Sequence, residues 1–116
     1  MSYDIYLEID TGRTSIDTNG QAVPDPTTIW QGNCTSNVAP MWRHAGADLA
    51  ALHRVSAPVA AEALAPAIRR MEEDPATYLA MNPANGWGNY NGCLQFLRDL
   101  HAACVDHPKT TVSVWR

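Results

Sequence analysis

Three features of this sequence predict an α+β fold. They are a strictly alternating N-terminal segment, a central half rich in helical apolar spacing, and an alternating C-terminal tail. Strands first, helices between and a strand last favour a small sheet formed by the N-terminal and C-terminal strands, covered on one face by three or four helices. With 116 residues the chain is expected to be one domain, 1–116, with a single core.

In YDIYLEI, residues 3–9, Tyr3, Ile5, Leu7 and Ile9 point one way and Asp4, Tyr6 and Glu8 the other, the mark of a half-buried strand. Residues 11–27 hold Gly12, Asn19-Gly20, Pro24 and Pro26, which fit either a flexible excursion or a hairpin turning at Asn19-Gly20. Residues 28–35 read as a second strand, weakened by Gly32. Pro40 opens a helical pattern with Met41, Ala45, Leu49 and Leu52 on one face and Asn37 or Ala39 nearby as cap. Ser56 before Pro58 marks another helix start, and Leu64, Ile68 and Met71 form the stripe of 58–73. Pro66 inside it predicts a kink or two short helices. Asp74-Pro75 is a cap and first-turn pair for a short helix ending near Met81. The last helix starts near Asn89 or Tyr90, buries Cys93, Leu94, Leu97, Leu100 and Cys104, and stops at Pro108. In the tail, Val112 and Val114 alternate against Thr111, Ser113 and Trp115.

Composition narrows the function classes. Residues 1–26 carry five acids against Arg13, and no basic stripe of the kind that neutralises phosphates exists, so no nucleic-acid partner is expected. No apolar run approaches the ~18 residues of a membrane span, and the N-terminus lacks a basic start and an apolar signal core; a cytoplasmic protein without a membrane partner is expected. Cys34, Cys93 and Cys104 have no metal-type spacing and read as buried, reduced thiols. His44 and His53 are too far apart along a helix to share an ion, and HExxH, CxxC, GxSxG and P-loop patterns are missing. No metal site, catalytic constellation or cofactor is expected.

Two polar segments stand out. NPANGWGNYNG, residues 82–92, stops one helix at Asn82-Pro83, turns at Asn85-Gly86 and caps the next helix at Asn89. None of these tasks needs Trp87. Its ring either packs on the sheet to pin the loop or offers a stacking platform to a sugar, a base or a partner side chain. In GNCTSN, residues 32–37, strand geometry would put Asn33, Thr35 and Asn37 on one face. They form either a structural network or a polar pocket shared with the 85–90 loop. Cys34 alternates onto the core side. Asp10, ending a strand beside Gly12, can carry a carboxylate towards a pocket. Trp30, Trp42 and Trp115 are expected mostly in the core.

YDIYLEIDTG, NCTSNVAPMWR, NPANGWGNY and HPKTTVSVW together resemble a family of small uncharacterised proteins of actinobacterial phages and their hosts. That family combines an N-x-T-x-N segment before a helix with an NP-x-NGWG-x-Y segment before the last helix. The resemblance spans nearly the whole chain and implies a setting rather than a chemistry. It also implies that Asn33, Thr35 and Asn37 belong with Asn85, Gly86, Trp87, Gly88 and Tyr90. This chain departs from the pattern at Cys34, where an aromatic residue is expected, and at Trp115-Arg116, where a shorter polar ending is.

Two functions remain open. One is a non-catalytic binding protein, with a host protein as partner and a role as a phage-encoded modulator of a host factor. The other is a small enzyme or sequestering protein for a nucleotide or sugar, in a pocket formed by Asn33, Thr35, Asn37 and Trp87 with Asp10 as its carboxylate. Homo-oligomerisation through the helical face is a third arrangement. The candidate binding residues are Asp10, Asn33, Thr35, Asn37, Asn85, Trp87 and Tyr90.

Overall fold

A computed structural model describes all 116 residues. Strand β1 (Ser2–Ile9) lies at the centre of a three-stranded antiparallel sheet, between β4 (Thr27–Thr35) and β5 (Thr111–Trp115). The first and last strands are therefore neighbours, as expected. Strands β2 (Thr14–Ile16) and β3 (Ala22–Pro24) form a separate hairpin. Helices α1 (Ala39–Ala45), α2 (Ala57–Glu73), α3 (Pro75–Leu79) and α4 (Tyr90–Asp106) fill the sequence between β4 and β5. None is long and apolar enough to cross a membrane.

The period of two in β1 decides which sheet face is buried. Tyr3, Ile5 and Leu7 are buried with Cys34 of β4 and Val112 of β5, and Leu64, Met71, Leu97 and Leu100 of the helices join the same core. Register sets Asp4 opposite Asn33 and Trp115, and Tyr6 opposite Gln31 and Ser113, on the other face. Only the first face carries apolar side chains in file, so the helices gather there. Trp42 is fully buried, as expected, and stands edge-on to Tyr3 at 5.1 Å. Trp30 is partly buried. Trp115 corrects the expectation for the tryptophans: alternation from Val112 and Val114 turns it to the open face, where it is 61% exposed.

Residues 11–27 take the hairpin alternative. The Asp17 carboxylate closes its tip by accepting the N–H groups of Asn19 and Gln21, each at 2.9 Å. Its base is tied by an Asp25 N–H to Arg13 carbonyl bond of 2.9 Å. Ile16 is exposed, so the hairpin brings almost nothing to the core.

Three helical expectations need correction. The pattern from Met41 to Leu52 is not one helix: Gly46, at φ 97°, ends α1, and a 3-10 turn over Leu49–Leu52 keeps those two leucines inward. A Cβ at Gly46 would fall 2.7 Å from Nη1 of Arg70, which donates to the Ala45 carbonyl at the helix end. Pro66 neither splits nor ends α2, which is continuous. It faces away from the most deeply buried stripe, where water can satisfy the Glu62 carbonyl that lost its donor. Finally, Asn37 is not a cap. The Thr35 hydroxyl accepts the Asn37 N–H at 3.3 Å and starts the 3-10 turn Ser36–Val38 leading into α1.

Candidate functional site

The NPANGWGNYNG loop joins α3 to α4, and its asparagines are spent on backbone. Asn82 Oδ1 accepts the Tyr90 N–H at 2.8 Å, Asn85 Oδ1 the Trp87 N–H at 2.9 Å, and Asn89 Oδ1 the Gly92 N–H at 2.7 Å. Gly88 is required twice over. Its φ is +99°, and a Cβ there would lie 2.6 Å from Thr35 Cγ2 and 2.9 Å from Val38 Cγ1. The loop is thus laid directly on the C-terminal end of β4. Tyr90 is buried, and its hydroxyl donates to the Met71 carbonyl at 2.6 Å, clamping α4 to α2. Trp87 is left over: 70% exposed, with its backbone fixed and its ring unneeded by the fold.

Of the sequence-picked residues, Thr35 and the 85–90 loop come together through Gly88. Asn33 turns to the open sheet face and donates to Asp4 Oδ1 at 2.7 Å. Asn37 is exposed, beyond the strand's end at Thr35, so the expected file of three breaks after its second member. Asp10 accepts the Gly12 N–H at 2.8 Å at the far end of β1.

Backbone geometry of the sheet reveals what side-chain reading could not. The Ser36 N–H donates to the Met1 carbonyl. In an antiparallel ladder the hydrogen-bonded pairs alternate, so Cys34, Gly32 and Trp30 bond to β1 while Asn33 and Gln31 present N–H and C=O outward. No strand lies beyond β4. At the opposite edge, the Val112 N–H donates to Val55 and its carbonyl accepts from Arg54, both at 2.8 Å, and the Val114 N–H donates to His53 Nδ1 at 3.0 Å. One edge is sealed and the other is open.

Beside the open edge runs a hollow of about 480 Å³ between β4 and α4, lined by Trp30, Gln31, Phe96, Asp99 and Asp106 among others. Gly32 explains its shape. A Cβ there would meet Trp30 Cη2 at 2.6 Å and Phe96 Cε1 at 3.0 Å, so the missing side chain lets two aromatic rings lie along the strand. Asp99 and Asp106, seven residues apart, share a helix face ~10 Å from one another. The hollow therefore pairs aromatic rings with carboxylates, a lining that suits cationic side chains. Asp99 and Asp106 escaped the sequence reading, although their i, i+7 spacing was there to see.

A second cavity, of about 490 Å³, lies at the sealed edge and includes Asp10, Glu8, His53, Arg54, Ser113 and Trp115. Thr35, Asn37 and Trp87 line neither cavity. No group of three or more His, Cys, Asp or Glu side chains is placed to hold a metal ion. Burial pushes the thiols of Cys34 and Cys104 up to about 11 and that of Cys93 to about 12, which removes their nucleophilic form at neutral pH.

The chain matches no family model, no curated protein and no solved structure.

Proposed function

We propose that this chain is a non-catalytic binding protein that takes an extended, basic segment of a partner protein as an added strand along β4. The observation that carries this reading is the unpaired outer edge of β4 at Gln31 and Asn33, in a sheet whose other edge is closed. Strand addition draws affinity from main-chain bonds and specificity from side-chain pockets alongside. Here the pocket is the hollow with Trp30, Phe96, Asp99 and Asp106, which favours lysine or arginine on the incoming strand. The net charge of −4 favours the same partner. Trp87 stands on the loop abutting the end of β4, where it can anchor one end of the segment, as tryptophans do at binding hot spots. In the setting that the phage resemblance implies, the partner is a host protein, met in the cytoplasm and modulated by this chain.

The reading is tested by selecting binders from a random peptide library and comparing wild type with Gln31→Pro. Proline at 31 removes an outward N–H while leaving the bonds to β1 in place. Selected peptides are expected to be basic and to lose at least about tenfold in affinity on Gln31→Pro and on Asp99→Asn with Asp106→Asn. Peptides of no consistent charge that bind the folded Gln31→Pro variant equally well would overturn it.

A further inference from the structure

The cleft at the sealed edge is independent of the β4 surface, and its lining is hard to explain by stability. Arg54 is the one non-glycine residue at positive φ, 66°. That conformation is what lets residues 54 and 55 exchange hydrogen bonds with Val112. Glycine or asparagine would adopt it with less strain, and nothing in the backbone's task calls for a guanidinium. The Arg54 side chain makes no ion pair and no hydrogen bond with the protein, yet it lines the cleft.

Its neighbours are similarly prepared. His53 uses Nδ1 to accept the Val114 N–H at 3.0 Å, so the neutral ring carries its proton on Nε2 and has a donor to spare. Trp115 is held by its own Nε1–H, which donates to Ser113 Oγ at 2.8 Å, and by an edge-on contact with His53 at 6.2 Å. The ring is fixed, but the indole remains largely exposed. The Glu8 carboxylate has no hydrogen-bond partner within the protein, and Asp10 has used one oxygen on Gly12. The cleft thus collects a fixed aromatic surface, donors on Arg54 and His53, and acceptors on Glu8 and Asp10.

Charge decides the ligand class. Two carboxylates against one guanidinium disfavour a phosphate or a nucleotide, and Arg54 disfavours a simple cation. A neutral polyhydroxyl compound meets neither objection: hydroxyls hydrogen-bond strongly to charged groups of either sign. The apolar C–H face of a pyranose also fits the electron-rich face of an indole. We propose that this cleft binds a neutral saccharide, stacked on Trp115, with Arg54 and His53 donating to its hydroxyls and Glu8 and Asp10 accepting from them.

The test follows the four indole N–H signals of the full chain by NMR, assigned with Trp115→Phe and Trp87→Phe. Maltotriose, cellotriose and chitotriose are titrated in turn to about 20 mM, well above the millimolar Kd of a weak site, with AMP and inorganic phosphate as anionic comparisons. At least one trisaccharide is expected to move the Trp115 signal and leave Trp87 still. Arg54→Gly is expected to keep or raise Tm while weakening that saccharide about tenfold or more. Silence of Trp115 with all three sugars would refute the site, as would a Trp115 response to AMP or phosphate in their place. Unchanged saccharide affinity in Arg54→Gly would refute the role of the arginine and, with it, the proposal.

Discussion

Along β5 the outward backbone groups of Val112 meet Arg54 and Val55, and the Val114 N–H meets His53; along β4 those of Gln31 and Asn33 meet no strand. The two edges belong to one three-stranded sheet, so they share twist, core and stability. Their difference shows that closing an edge has a cost here, a left-handed arginine at 54, which was accepted on one side only. The open edge is nonetheless guarded. A bulge between Leu7 and Glu8 disturbs its register near Ile29, and the carboxylates of Asp99 and Asp106 stand beside it. Such devices discourage indiscriminate pairing along an exposed edge.

Proline substitution separates the edges most sharply. Val112→Pro removes the N–H given to Val55 at a fully buried position and should cost about 3 kcal/mol or more in urea unfolding. Gln31→Pro should cost below about 1 kcal/mol, because its N–H has no protein partner. Equal losses would mean that the two edges are not different in kind.

The loop that abuts β4 offers a smaller contrast. Gly88→Ala combines a positive φ with overlap on Thr35 and Val38 and should destabilise by about 2 kcal/mol. Gly86→Ala has a similar φ but nothing within 4 Å, so about 1 kcal/mol is expected from backbone strain alone. Thermal melts of the two variants should rank in that order.

The smallest effect near neutrality comes from the buried thiols, Cys34 on β4 among them. Their folded pKa values, about 11 to about 12, lie above the ordinary 9.0 because the core disfavours a thiolate. Below about pH 8 both folded and unfolded thiols stay almost wholly protonated and stability is unaffected. As pH rises through the window up to about 12, the unfolded chain ionises first and stability falls. Replacing Cys93, whose shift is largest, by Ala should flatten that alkaline slope.

The fold was legible because its signals are local. Alternation in residues 3–9 and 111–115 names the strands and their buried faces, and the Leu94, Leu97, Leu100 spacing names the inner side of α4. The break at Gly46 is masked in the sequence because Leu49 and Leu52 keep an inward spacing across it. The loop at 82–92 serves as stop, turn and start, as its asparagines and glycines predict, and Trp87 remains the part those tasks do not use. What escaped was set by pairing between distant segments. Whether an edge is sealed depends on residues 53–55 reaching Val112, some sixty positions away in sequence, and no periodicity records that. The same pairing brings His53, Arg54 and Trp115 around one cleft with Asp10, the only sequence-picked residue there.

Amide hydrogen exchange at Gln31 and Asn33, with and without a selected basic peptide, addresses the open edge most directly. Both amides should exchange rapidly in the free protein and slow by at least about tenfold at saturation, with Val112 unchanged. Protection already present in the free protein and rising with its concentration would show the edge paired with another copy of the chain. Peptide-induced protection elsewhere, with Gln31 and Asn33 still fast, would place the partner on a different surface and contradict the account.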